Sequence, residues 1–199
     1  QDTIQSYGQF QGIQRCGPIE KIQNTNSIRY LFIYEEHKRD TANKLFFALK
    51  NGIGSFPGVE SLFGMPINNE NVIGIKITNS NRCSLDQSYT KCIESFFKEK
   101  NLPNSKHIYL AYILSPSMPQ GIHPNPYHAS KALLLSHGIP SQGIDYETVD
   151  NSNFRWSMSN IALASFAKLG GIPWRMWNNN EAKQLICMLT VNGVFKEAL

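Results

Sequence analysis

The sequence predicts a mixed α/β fold, a Rossmann-like, doubly wound and mainly parallel sheet flanked by helices. Apolar periodicity switches repeatedly along the chain between the two-residue repeat of a strand and the 3.6-residue repeat of a helix. The strand-like and helix-like runs alternate, which is the order expected of parallel strands covered by their connecting helices. The composition permits such a core, since 41% of the 199 residues are hydrophobic and 17% are charged.

Each element follows from local pattern. Residues 27–34 (SIRYLFIY) read as a strand, 38–50 as a helix closed by Asn51 and Gly52, and 72–78 as a second strand. In the helix predicted over 85–100, Tyr89, Cys92, Ile93, Phe96 and Phe97 fall on one face and read as core. Residues 106–114 (KHIYLAYIL) form the next strand, followed by a loop over 115–126 that carries four prolines. A helix over 127–137, a strand near 144–149 and a helix over 155–168 complete the alternation. The last helix ends in Lys168-Leu169-Gly170-Gly171-Ile172-Pro173, with a cation in its final turn, glycine where the backbone must turn left-handed, and Ile-Pro to stop propagation. Residues 1–26 stand apart as a lead-in, and the chain shows no internal repeat or low-complexity tract.

The bulk numbers narrow the chemistry. A formal charge of +4 permits an anionic partner without demanding one. Cys16, Cys83, Cys92 and Cys187 are scattered, with no C-x-x-C and no zinc-like Cys/His spacing, which reads as reduced thiols of a cytoplasmic protein without a structural metal. Gly52-Ile53-Gly54-Ser55-Phe56-Pro57-Gly58 follows a helix and lacks a Gly-Lys-Ser/Thr ending, so it is neither a dinucleotide fingerprint nor a P-loop. The five histidines have no paired ligand spacing, and no Ser/His/Asp arrangement stands out.

Four residues suit an anion. Pro126 can open a helix at its first turn, which puts Tyr127 among the unpaired N–H groups at the positive end of the helix dipole. Lys131, four residues on, lies on the same face one turn along. A tyrosine ring can stack on a terminal base while its hydroxyl reaches a phosphate oxygen, and the lysine supplies charge. Each has a plainer reading too: Tyr-x-x-x-Lys is a common helix start, Gln142 a surface residue at a strand start, and Lys168 an ordinary last-turn cation.

Taken together, the run from Asn160 to Trp174 (NIALASFAKLGGIPW) with Tyr127, Lys131 and Gln142 ahead of it resembles the junction of the MID and PIWI domains of Argonaute proteins, above all prokaryotic ones. That family grips the 5′-phosphate of a guide strand with a tyrosine, a lysine four residues later, a glutamine about a dozen residues on, and a lysine just before the Gly-Gly. The resemblance implies that Tyr127 stacks and hydrogen-bonds, that Lys131 and Lys168 neutralise the phosphate, and that Gln142 orients it. It implies a lead-in over 1–26, in which Gly17-Pro18 follows a short strand, a MID domain over 27–174, and the start of a PIWI-like segment over 175–199. The loop ahead of Tyr127 would face the first guide base through Gln120, Gly121, Ile122, His123 and Asn125, with a rigid connector as the alternative.

The implied partners are a small guide RNA or DNA and a PIWI domain or associated effector chain; no cofactor is required, although some members of the family bridge the first phosphates with Mg2+. Slicing Argonautes cut with PIWI carboxylates that hold two metal ions. The expected opening strand of that domain, 184–191, is followed by Asn192-Gly193-Val194-Phe195 without an aspartate, so the chain is expected to bind and not to cut. Two rivals share the fold: a doubly wound domain for a small phosphorylated metabolite, and a protein-interaction scaffold with a degenerate pocket.

Overall fold

A computed structural model describes residues 9–78, 84–118, 125–174, 187–191 and 194–198. Four parallel strands, β1 (Ile28–Glu35), β2 (Val72–Ile77), β3 (Ile108–Ser115) and β4 (Ser141–Asp145), form one sheet in the order β2-β1-β3-β4. This is the doubly wound arrangement that the alternation predicts. The helices are α1 (Gln9–Cys16), α2 (Arg39–Asn51), α3 (Val59–Phe63), α4 (Leu85–Lys100), α5 (Pro126–Ser136), α6 (Tyr146–Asp150) and α7 (Phe154–Lys168). A separate antiparallel pair joins β5 (Cys187–Val191) to β6 (Val194–Ala198).

The central strands are apolar on both faces because helices cover both. Along β1, Tyr30 and Phe32 face a core shared with α2, α3, α6 and α7, while Leu31 and Ile33 face a second core built with α4 and α5. Alternate residues of β3 divide in the same way, with Leu110, Tyr112 and Leu114 on the first side and Tyr109, Ala111 and Ile113 on the second. Burial accounts for α4 as well: Tyr89, Ile93 and Phe97 are its buried stripe, and Cys92 and Phe96 pack partly against the same core. Where a tyrosine is buried, its hydroxyl is generally bonded. Tyr89 donates to the Leu114 carbonyl at 2.7 Å, and Tyr112 donates to Ser165 Oγ at 3.0 Å.

Three local readings change. The strand expected near 144–149 lies earlier, as β4, and the following residues turn into α6. Tyr146 and Val149 are spaced i, i+3, and both are buried on one face of that single helical turn, which the pattern Ile-Asp-Tyr-Glu-Thr-Val disguises as alternation. Gly17-Pro18 follows a helix rather than a strand, because Phe10 and Ile13, also i, i+3, turn α1 onto the first core. Nor does the lead-in stand free of the body: Ile13 and Ile22 are buried in that core, and Glu20 pairs with Ile172 through two backbone hydrogen bonds of 3.0 Å.

The two glycines after α7 have separate jobs. Gly170 holds φ +89°, the left-handed turn that ends the helix. At Gly171 a Cβ would overlap the Phe166 ring, which is stacked on Phe63 at 4.4 Å between centroids. The chain then runs directly into the pairing of Ile172 with Glu20.

Candidate phosphate-binding site at the sheet edge

The site is assembled where helices from opposite faces of the sheet meet at the edge strand β4. Asn125 caps α5, its Oδ1 accepting the Tyr127 N–H at 2.9 Å, and Pro126 occupies the first turn. The Tyr127 N–H is therefore already satisfied and is not one of the open donors that the helix start suggests. What positions Tyr127 is its ring, which lies against the backbone of β4 at Gly143, where a Cβ would overlap it. The ring also packs partly against the second core.

One turn along α5, the Lys131 ammonium sits 5.5 Å from the centroid of the Tyr127 ring. From the other face, Lys168 in the last turn of α7 donates from Nζ to Gln142 Oε1 at 2.5 Å, a charge-assisted bond. Gln142 is the second residue of β4, in register with Tyr112, and its own amide donates to the Gly143 carbonyl at 3.0 Å. Partial burial, followed by the charge of Lys131, pulls the Lys168 pKa below the usual lysine value. The charge of Lys131 is thus felt at Lys168. Among the described residues, neither has a carboxylate within ion-pair distance.

The four predicted residues form two pairs, Lys168 with Gln142 and Lys131 with the Tyr127 ring, and the pairs contact β4 at the adjacent residues Gln142 and Gly143.

Beside Tyr127, a cavity of about 250 Å³ opens at the carboxyl ends of β3 and β4, lined among others by Ser115, Ser117, Asn125, Gly143 and Asp145. Open α/β sheets offer their ligand crevices at that end of the strands. Burial, and then the neighbouring Glu147 charge, raise the Asp145 carboxyl above the ordinary aspartate value. Gln120, Gly121, Ile122 and His123 of the expected first-base loop lie outside the described residues, and only Asn125 of that set is seen, as the helix cap. Gly143 and Asp145 are the residues that sequence reasoning missed. A glycine inside a strand is a signal of close approach, yet nothing in the sequence names the ring that approaches.

Tyr127, Lys131, Gln142 and Lys168 by themselves present two ammonium groups, a phenol and one neutral amide oxygen already engaged by Lys168, which is not a Mg2+ ligand set; the carboxylate of Asp145 lines the adjoining cavity.

No protein-family model matches the chain. Over 185 residues it is 23% identical to a protein described as "Protein argonaute" from Cereibacter sphaeroides, an alignment that takes in 87% of this chain and 23% of the relative. Its fold is similar to a solved structure of Clostridium butyricum Argonaute bound to a guide DNA (5′ deoxycytidine) and a 19-mer target DNA, with a TM-score of 0.50 and 22% identity over 79% of this chain and 20% of that one. The chain therefore spans less than a quarter of the length of either protein. In sequence and in fold, over most of its length, it fits an Argonaute-type domain.

Proposed function

We propose that this chain holds the 5′-phosphorylated end of a small guide RNA or DNA as the MID part of an Argonaute-type silencing or defence system. The observation that carries the reading is a pair of lysines on helices from opposite faces of the sheet that reach neighbouring residues of β4: Lys168 is bonded to Gln142, Lys131 lies over the Tyr127 ring that rests on Gly143, and among the described residues neither has a carboxylate within ion-pair distance. Two like charges so placed repel each other, and a bound phosphate dianion turns that repulsion into two charge-assisted contacts. The likeness to a guide-bound Argonaute supports a strand end as the source of that phosphate.

Within this reading, Lys131 and Lys168 neutralise the phosphate, Gln142 orients it, and Tyr127 stacks on the first base while its hydroxyl reaches a phosphate oxygen. The adjoining cavity receives that base. The chain binds and positions a strand, leaving any cutting to a PIWI domain or an associated effector chain. Some Argonautes neutralise the first phosphates with Mg2+; here the lysines supply positive charge at that place.

The deciding experiment compares short single strands that differ only at their ends. A 5′-phosphorylated strand should bind at least tenfold more tightly than its 5′-hydroxyl counterpart, because charge-assisted hydrogen bonds of roughly 1.5 to 3 kcal/mol each are at stake. A 3′-phosphate should not substitute. Equal affinity for 5′-phosphate and 5′-hydroxyl strands overturns the assignment, and equally tight binding of a mononucleotide or sugar phosphate would favour a metabolite site.

A further inference from the structure

Away from the β4 edge, the start of α7 and the outer face of α2 form a second cationic surface, and two of its aromatic rings are turned outward. Trp156 is 63% exposed and Phe47 is 53% exposed, although large rings are normally buried. Cations lie beside these rings and beside the inner rings under them: Arg155 is 4.9 Å from the exposed Trp156 ring, Lys44 is 5.5 Å from the buried Phe154 ring, and Lys50 is 5.7 Å from the half-buried Phe46 ring, itself packed on Phe47. The surface is continuous. Phe154, beneath Lys44, directly precedes Arg155, and the Arg155 side chain leans on Gly54 in the turn that follows α2.

Charge and shape select the partner. Lys44, Phe47 and Lys50 are spaced i, i+3, i+6 on the exposed side of α2, so a ring stands between two ammonium groups. Among the described residues, no carboxylate lies within ion-pair distance of Lys44, Lys50 or Arg155. The first turn of α7 holds no acidic residue, so its positive end adds to the same field. Exposed rings interleaved with unpaired cations match a chain that alternates flat bases with phosphates. They match a single strand better than a duplex, whose bases already stack on one another.

We infer that the surface formed by Lys44, Phe47, Lys50, Arg155 and Trp156 binds single-stranded nucleic acid, by stacking bases on Trp156 and Phe47 and placing phosphates near the three cations. Trp156 and Lys168 are twelve residues apart on α7, about 18 Å along the helix axis, so this contact is separate from the one proposed for the strand end. It requires no 5′-phosphate and does not rest on the proposal above.

The test uses a 5′-hydroxyl oligothymidylate, labelled at its 3′ end, and a chain carrying Lys131→Ala and Lys168→Ala, so that the strand-end site cannot contribute. The probe should bind this background. Trp156→Ala should weaken binding about five- to hundredfold, Trp156→Phe should retain most of it, and Lys44→Gln with Lys50→Gln should lower the log-log salt slope by about 1.4. Thermal melts of each variant should match the background, because Trp156 and both lysines are exposed. The inference is overturned if the background fails to bind the probe, or if Trp156→Ala binds as well as Trp156→Phe with an unchanged salt slope in the lysine pair. It is also overturned if the surface captures a protein partner, lost in Trp156→Ala, while ignoring the oligonucleotide. Failure here leaves the ratio of 5′-phosphate to 5′-hydroxyl affinity untouched, so the two proposals stand or fall separately.

Discussion

Replacing either site lysine by glutamine should separate binding from stability. For Lys131 two small terms oppose each other in the folded chain. Its place over the Tyr127 ring contributes about 0.5 kcal/mol, as exposed cation–π contacts do. Repulsion from Lys168 costs a similarly small amount, since two like charges near the surface are screened by water and salt. Lys168 has more on each side: the carboxyl end of α7, worth about 0.3 to 1 kcal/mol, and the bond to Gln142 favour it, while partial burial and the same repulsion oppose it. Lys131→Gln should therefore change stability by no more than about 0.5 kcal/mol, a midpoint shift of about 1 to 2 °C for a chain of this length, and Lys168→Gln, which also gives up the bond to Gln142, by no more than about 1 kcal/mol. Affinity for a 5′-phosphorylated strand should fall about ten- to hundredfold, and the salt slope should flatten by about 0.7, since one charge-assisted contact and one released counterion disappear.

The same pair fixes a pH dependence. The folded Lys168 pKa is lowered, so between that value and the unfolded lysine value of 10.5 the unfolded chain holds the extra proton. Stability contributed by this group is therefore lowest, and flat, below the folded pKa, and it rises with pH through the window up to 10.5. Phosphate binding runs the other way, weakening over that window as Lys168 loses its charge. Lys131→Gln removes one of the two causes, so Lys168 should titrate nearer the usual value. Calorimetric melts, strand titrations and NMR of lysine side chains labelled at Cε read all three effects. Early melting of both variants with undiminished binding would refute the reasoning and leave the lysines as structural residues.

Three further outcomes follow from the same geometry. Tyr127→Ala should bind a guide clearly worse than Tyr127→Phe in a titration, because phenylalanine keeps stacking worth about 1 to 3 kcal/mol per base; equal affinities would mean that the ring does not stack. Gly143→Ala should displace the Tyr127 ring from β4, lowering stability by about 1 to 3 kcal/mol in a denaturant melt and weakening strand binding with it; an unchanged melt would show that the ring moves aside freely. Substitutions at Gln120 to His123 should alter preference for the first base in competition binding without changing the preference for a 5′-phosphate, and uniform losses across bases would mark the loop as a connector.

The parts of the fold legible in the sequence were those in which burial writes an unbroken pattern. β1 and β3 are covered on both faces and so read as continuous apolar runs, and α4 shows its buried stripe from Leu85 to Lys100. The short helices α3 and α6 were hidden because five residues are too few for a helical period to separate from alternation. The individual site residues could be picked out, but their convergence could not be derived from sequence. Gln142 and Lys168 are 26 positions apart, and α5 and α7 cover opposite faces of the sheet. The placement of β4 as the edge strand, with no further strand beside it among the described residues, lets Lys168 from one layer and Tyr127 from the other reach the adjacent residues Gln142 and Gly143.

That arrangement gives the Gly170-Gly171 stop a role beyond ending a helix. Lys168 works from the last turn of α7, where a helix ordinarily frays and where a long side chain would lose its aim. Here the turn is held at three points. Phe166 is buried against Phe63, its ring packs over Gly171 at a position that has no room for a Cβ, and two residues after Gly170 the chain is pinned by paired backbone bonds between Ile172 and Glu20 of the lead-in. Any side chain at 171 would displace the Phe166 ring or the backbone, and either movement shifts Lys168 relative to Gln142. The lead-in and the Gly-Gly turn thus act together to fix where the second positive charge stands.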